Sequence, residues 1–69
     1  MEKKIDARGL SCPQPVLLTY KAIEAGNDTI IVTVDNPTAR ENVRRMAQGK
    51  KMNVAIAEDG EDFILTITK

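Results

Sequence analysis

Between Gly26 and Pro37 the chain carries the stretch that leaves its fold the least freedom. From Thr29 to Asp35 the side chains alternate, with Ile30, Val32 and Val34 on one face and Thr29, Ile31 and Thr33 on the other. This predicts a strand with one wholly apolar face and one mixed face. Helical signals bound it on both sides. Upstream, Pro13 to Ala25 places Val16, Tyr20 and Ile23 at i, i+4 and i+7 beside Leu17, with Leu18 near the outer face and Gly26 as the stop. Downstream, Asn36 suits an N-cap and Pro37 the first helical position. Ala39, Val43, Met46 and Ala47 then form the buried stripe of a second helix ending at Gly49, with Arg40, Arg44 and Arg45 projecting outward.

The remaining segments complete the pattern. Lys3 to Ala7 reads as a short strand with Ile5 pointing inward. Met52, Val54 and Ile56 alternate along a third strand, Asp59-Gly60 marks a turn, and Phe63, Leu65 and Ile67 alternate along a fourth, so the last two strands are expected to form an antiparallel hairpin. The order βαβαββ, with right-handed crossovers, predicts both helices on one face of a mixed four-stranded sheet, a two-layer α/β (α+β) sandwich. No linker, internal repeat or low-complexity segment interrupts it, and residues 1–69 read as one domain.

Composition narrows the chemistry. Sixty-nine residues lie near the lower size limit for a core without staples. Ten acidic and ten basic residues give a formal net charge of zero, which disfavours a general polyanion binder. No apolar run approaches membrane-spanning length, and Met1-Glu2-Lys3-Lys4 leads straight into a strand, so a cytoplasmic protein is expected. Without histidine, a metal site has only carboxylates and one thiol to draw on; neither metal nor cofactor is expected. The single cysteine excludes an intrachain disulfide, a Cys-x-x-Cys dithiol and a Cys–His pair.

That cysteine, Cys12, stands immediately before the first helix in Cys12-Pro13-Gln14-Pro15, with Arg8, Gly9, Leu10 and Ser11 leading in. A thiolate at a helix N-terminus faces unpaired N–H groups and the positive end of the helix dipole, which lower its pKa. Pro13 fits the first helical position and pushes Cys12 toward the extended conformation. Pro15 removes a second N–H from the first turn. Arg8 reads either as a loop charge or as positive potential beside the thiolate, and Asp6 would act the other way. The plainer reading of a lone cysteine before a helix is a small buried hydrophobe.

The run from Asp6 to Leu17, with its Cys-Pro-x-Pro core, resembles the TusA/SirA family of small sulfur-carrier proteins, and Asp35-Asn36-Pro37 looks like the Asp-x-Pro of that family. The wording Arg8 to Pro15 is similar to the TusA-like N-terminal domain of YedF-type proteins, associated with selenium metabolism. The resemblance implies a persulfide carrier. Cys12 would accept sulfane sulfur from a cysteine desulfurase-like donor and pass it to a downstream acceptor protein, as a relay rather than a self-sufficient enzyme. Pro13, Pro15, Arg8 and Gly9 would support the thiol. Leu10, Gln14 and Leu18 would form the partner footprint, with Arg40 and Arg44 as an electrostatic rim. YedF-type proteins carry a second domain, so both a complete small protein and an excised domain remain open.

The alternative is a non-catalytic regulatory or nucleic-acid-binding module, because the fold resembles the C-terminal domain of translation initiation factor three. Zero net charge, and Tyr20 and Phe63 as the only aromatics, leave little for backbone neutralisation or base stacking.

Overall fold

The structure, a computed structural model, describes residues 2–10 and 14–69. Six elements follow one another: β1 (Glu2–Asp6), α1 (Gln14–Glu24), β2 (Thr29–Val34), α2 (Pro37–Gly49), β3 (Asn53–Asp59) and β4 (Asp62–Thr68). The four strands form one sheet in the order β1-β2-β4-β3. β1 runs parallel to β2, pairing Ile5 with Val32, while β4 is antiparallel to both β2 and β3. Both helices pack on the same side of the sheet and against each other, so the expected two-layer α+β sandwich is the fold observed.

The alternation in β2 explains the core. Ile30, Val32 and Val34 are fully buried and face Leu65 and Ile67 of β4 and Val43 and Ala47 of α2. Thr29, Ile31 and Thr33 lie on the half-covered outer face. Asn36 caps α2 as expected: its Oδ1 accepts the Ala39 N–H at 2.7 Å, with Pro37 opening the helix. In the hairpin, Gly60 (φ +64°) supplies the positive φ of the two-residue connection between Asp59 and Asp62.

Four features differ from the periodicity reading. The first is the buried face of α1, which is Pro15, Thr19 and Ala22 rather than Val16, Leu17, Tyr20 and Ile23. Val16 and Ile23 flank it, half-buried, whereas Leu17 is 50% and Tyr20 40% exposed. At about 100° per residue the helix sets Leu17 nearly opposite the buried line, with Leu18 and Tyr20 on its two shoulders. The Tyr20 ring there carries the Lys50 ammonium, 4.6 Å from its centroid.

Second, α2 ends at Gly49 as expected, but the left-handed residue that completes the stop lies beyond that glycine. Lys51 takes the left-handed conformation (φ +63°), its N–H donates to Gln48 O, and the Met52 N–H donates to Ala47 O. This is a Schellman ending with lysine in the place usually filled by glycine. Third, Arg40 and Arg44 do not project freely; both are half-buried and paired with Glu41, and only Arg45 is exposed. Fourth, Ile56 is 38% exposed because β3 is an edge strand.

Candidate functional site at the first strand-to-helix junction

Parallel pairing of β1 and β2 puts the chain that follows Asp6 beside the chain that follows Val34. The β3–β4 turn returns to the same end, since Val34 pairs with Phe63. Three connections therefore meet where α1 begins. The expected placement of Cys12 before the helix, with Pro13 as its first residue, falls on residues 11–13, which lie outside the described residues. Leu10 and Gln14, their neighbours in sequence, belong to this end.

The approach to that segment is a tight turn from Ala7 to Leu10. The Leu10 N–H donates to Ala7 O at 3.4 Å, and Gly9 (φ +75°) takes the third position, where a type II turn needs a positive φ. Every amide in the turn is engaged. Ala7 N–H donates to Thr33 O at 2.8 Å, Arg8 N–H to Asp6 Oδ1 at 3.2 Å, and Gly9 N–H to Asp35 Oδ2 at 2.8 Å.

Arg8 is clasped rather than free. Its Nε and Nη2 donate to the two oxygens of Asp6, each at 2.9 Å, and its Nη1 to Asp62 Oδ2 at 3.3 Å. The hydrogen bond from the guanidinium, helped by the Arg8 N–H, holds the Asp6 carboxyl at a pKa of about 2, while the Asp6 and Asp62 carboxylates push the guanidinium pKa upward. Two carboxylates, those of Asp6 and Asp62, thus hold the one guanidinium of Arg8. They offset its charge, while the expected effect of Arg8 on the thiol falls on residues outside those described.

The other expected site residues separate into groups. Pro15 is fully buried, with its carbonyl accepting the Thr19 hydroxyl at 2.9 Å, so it is a core residue as much as a helix start. Leu10 is half-buried against the core. Gln14 and Leu18 are exposed and, with Leu17 and Lys21, line an open depression of about 280 Å³; Leu18 also borders a groove of about 490 Å³ between α1 and the edge strand β1. Arg40 stacks over the Phe63 ring, 4.7 Å from its centroid, and Arg44 Nη2 donates to Glu41 Oε1 at 2.6 Å.

Asp35, Asp62 and Leu17 were not among the residues expected here. The signal for Asp35 and Asp62 lies in topology, because neighbouring strand ends deliver their following residues to one place. Among the described residues, no group of three histidine, cysteine, aspartate or glutamate side chains could hold a metal ion, and no helix is long and apolar enough to cross a membrane.

Comparison with known proteins agrees with this architecture. The family model described as Sulfurtransferase TusA matches residues 3–69. A protein of Methanocaldococcus jannaschii named "putative sulfur carrier protein" is 38% identical over 69 residues, covering 97% of this chain and 92% of the relative. The crystal structure of a SirA-like protein from Desulfitobacterium hafniense superposes with a TM-score of 0.86 at 34% identity, covering 96% of this chain and 95% of that one. The chain described here therefore belongs to the TusA sulfurtransferase family.

Proposed function

We propose that this protein is a sulfur carrier whose cargo rides on Cys12 as a persulfide. The observation that carries the reading is the match of residues 3–69 to the TusA family model in a chain whose only thiol is the Cys12 of Cys-Pro-x-Pro. The name of the archaeal relative supports the same class. In the loading step the Cys12 thiolate attacks the terminal sulfane sulfur of a donor's cysteine persulfide. A sulfur–sulfur bond forms on Cys12 as the donor's own sulfur–sulfur bond breaks, and the donor cysteine leaves as thiolate. No net oxidation occurs. Unloading repeats the exchange, with a nucleophile of the acceptor taking the terminal sulfur.

The donor is a cysteine desulfurase or a related sulfurtransferase, and the acceptor is a downstream protein of sulfur or selenium metabolism in the cytoplasm. Residues 1–69 act as one carrier domain. The partner docks over the start of α1, where Gln14, Leu17 and Leu18 offer exposed surface next in sequence to the thiol. Incubation with a cysteine desulfurase, cysteine and pyridoxal phosphate, followed by intact mass measurement, tests the reading. A gain of one sulfur atom is expected on the wild-type chain and not on Cys12→Ser. No gain at saturating donor removes the carrier assignment.

A further inference from the structure

We propose that Asp35 is a positioning residue for the reactive thiol, acting through the backbone of Gly9. The proposal rests on the carrier reading of Cys12 and assigns a role to a residue three elements into the fold. Of the four amides in the Ala7–Leu10 turn, three are satisfied by the β1–β2 ladder, by the neighbouring Asp6 or by the turn itself. Only the Gly9 N–H is held by a side chain from a distant part of the chain, Asp35 Oδ2 at 2.8 Å. A bond from a backbone N–H to a carboxylate is charge-assisted and directional.

The carboxylate is itself oriented. Asn36 Nδ2 donates to its Oδ1 at 3.1 Å, and Asn36 Oδ1 accepts the Ala39 N–H at 2.7 Å. A continuous chain of hydrogen bonds therefore runs from the first turn of α2 to Gly9. Gly9 sits at φ +75° with nothing within 4 Å of where a Cβ would stand, so sterics do not impose this conformation. The bond to Asp35 and the turn closure hold it. Of the other long-range ties to this loop, Ala7 N–H to Thr33 O belongs to the β1–β2 ladder, and Arg8 to Asp62 at 3.3 Å joins an exposed side chain to a half-buried one and is partly screened. Asp35 is thus the side-chain contact that holds Gly9, three residues before Cys12 in the sequence.

Charge and position make opposite predictions for this residue. A carboxylate near a thiol disfavours thiolate, so an electrostatic role would make every neutral replacement faster and lower the thiol's titration midpoint. A positioning role makes the outcome depend on the acceptor oxygen. Asp35→Asn removes the charge and keeps an oxygen for Gly9, whereas Asp35→Ala removes both.

Single-turnover persulfide transfer at saturating donor is expected to fall about tenfold or more in Asp35→Ala and to stay near wild type in Asp35→Asn, because misplacement of a reacting group by about 1 Å can cost a hundredfold. Hydrogen exchange at the Gly9 amide should be slow in wild type and Asp35→Asn and fast in the alanine variant. Equal transfer rates in the two variants, or a lowered alkylation midpoint with faster transfer in both, overturns the proposal. Should Asp35→Ala not fold, wild-type exchange decides: a Gly9 amide exchanging like an open loop overturns it. Failure of the carrier reading itself would appear separately, as a wild-type chain that takes up no sulfur while its Gly9 amide is still protected.

Discussion

Arg8 meets Asp6 through two parallel N–H···O bonds of 2.9 Å, a forked ion pair formed two residues apart at the end of β1. The arrangement turns what looks in sequence like a free cation beside a thiol into one half of a neutralised pair.

The first prediction concerns its titration. The folded-state pKa of Asp6, about 2, lies below its ordinary value of 3.8, so the pair contributes stability above about pH 4 that fades as pH falls toward 2. Both partners are exposed, and salt should weaken the effect. Carboxyl NMR should give a midpoint near 2 at low ionic strength, moving up in Arg8→Gln. A midpoint near 3.8 in wild type would mean the fork does not persist in solution.

A second prediction follows from the end of α2. Lys51 holds a left-handed conformation that costs a non-glycine residue about 1–2 kcal/mol. Lys51→Gly relieves that cost and gives back about 0.4–1 kcal/mol through the freer unfolded chain. The net stabilisation should be about 0.5–1 kcal/mol, a rise in Tm of a few degrees for a chain this size. A lowered Tm would mean that Lys51 makes a compensating contact.

How far these features could be read from the sequence depends on whether a local pattern settles them. β2 declared itself because its alternation fits a half-buried strand and nothing else, and Asn36-Pro37 declared the start of α2 because capping is local chemistry. The buried face of α1 was not legible in the same way. Hydrophobicity favours Leu17 and Tyr20, but the buried positions are Pro15, Thr19 and Ala22, and sequence alone does not say which face of a helix meets its neighbours. Cys12 stood out by being the only thiol, while Asp35 and Asp62 reach the junction only because three strand ends converge there. Arg40 and Arg44 read as free from their outward positions, which do not show that Glu41 pairs with both.

The two prolines should separate when replaced one at a time. Pro15 is fully buried, and Pro15→Ala loses about two methylenes' worth of burial together with the proline's restraint on the unfolded chain. A loss of about 2 kcal/mol is expected, visible as a fall in Tm of roughly 10 °C. Pro13→Ala tests the other role, holding the thiol at the start of the helix, and should slow single-turnover transfer more than it lowers Tm. Equal effects of both variants on Tm would show that the two positions act alike as a helix start.

The last prediction separates contact from steering around the donor. Leu18 is 38% exposed on the shoulder of α1 and borders both open depressions, so Leu18→Glu should leave the fold intact while raising the dissociation rate of the donor complex. Charges farther from the thiol act mainly on association. Arg44→Glu cannot test steering by itself, because it breaks the 2.6 Å pair with Glu41 and leaves like charges three residues apart on α2. Arg45→Glu makes the same change of charge at an exposed position one residue on. If the basic face of α2 steers the donor, both reversals should lower the association rate by similar factors at low salt and lose the effect at high salt, with only Arg44→Glu also lowering Tm. An association rate unchanged in Arg45→Glu would remove α2 from the encounter, and a dissociation rate unchanged in Leu18→Glu would remove that shoulder of α1 from the footprint.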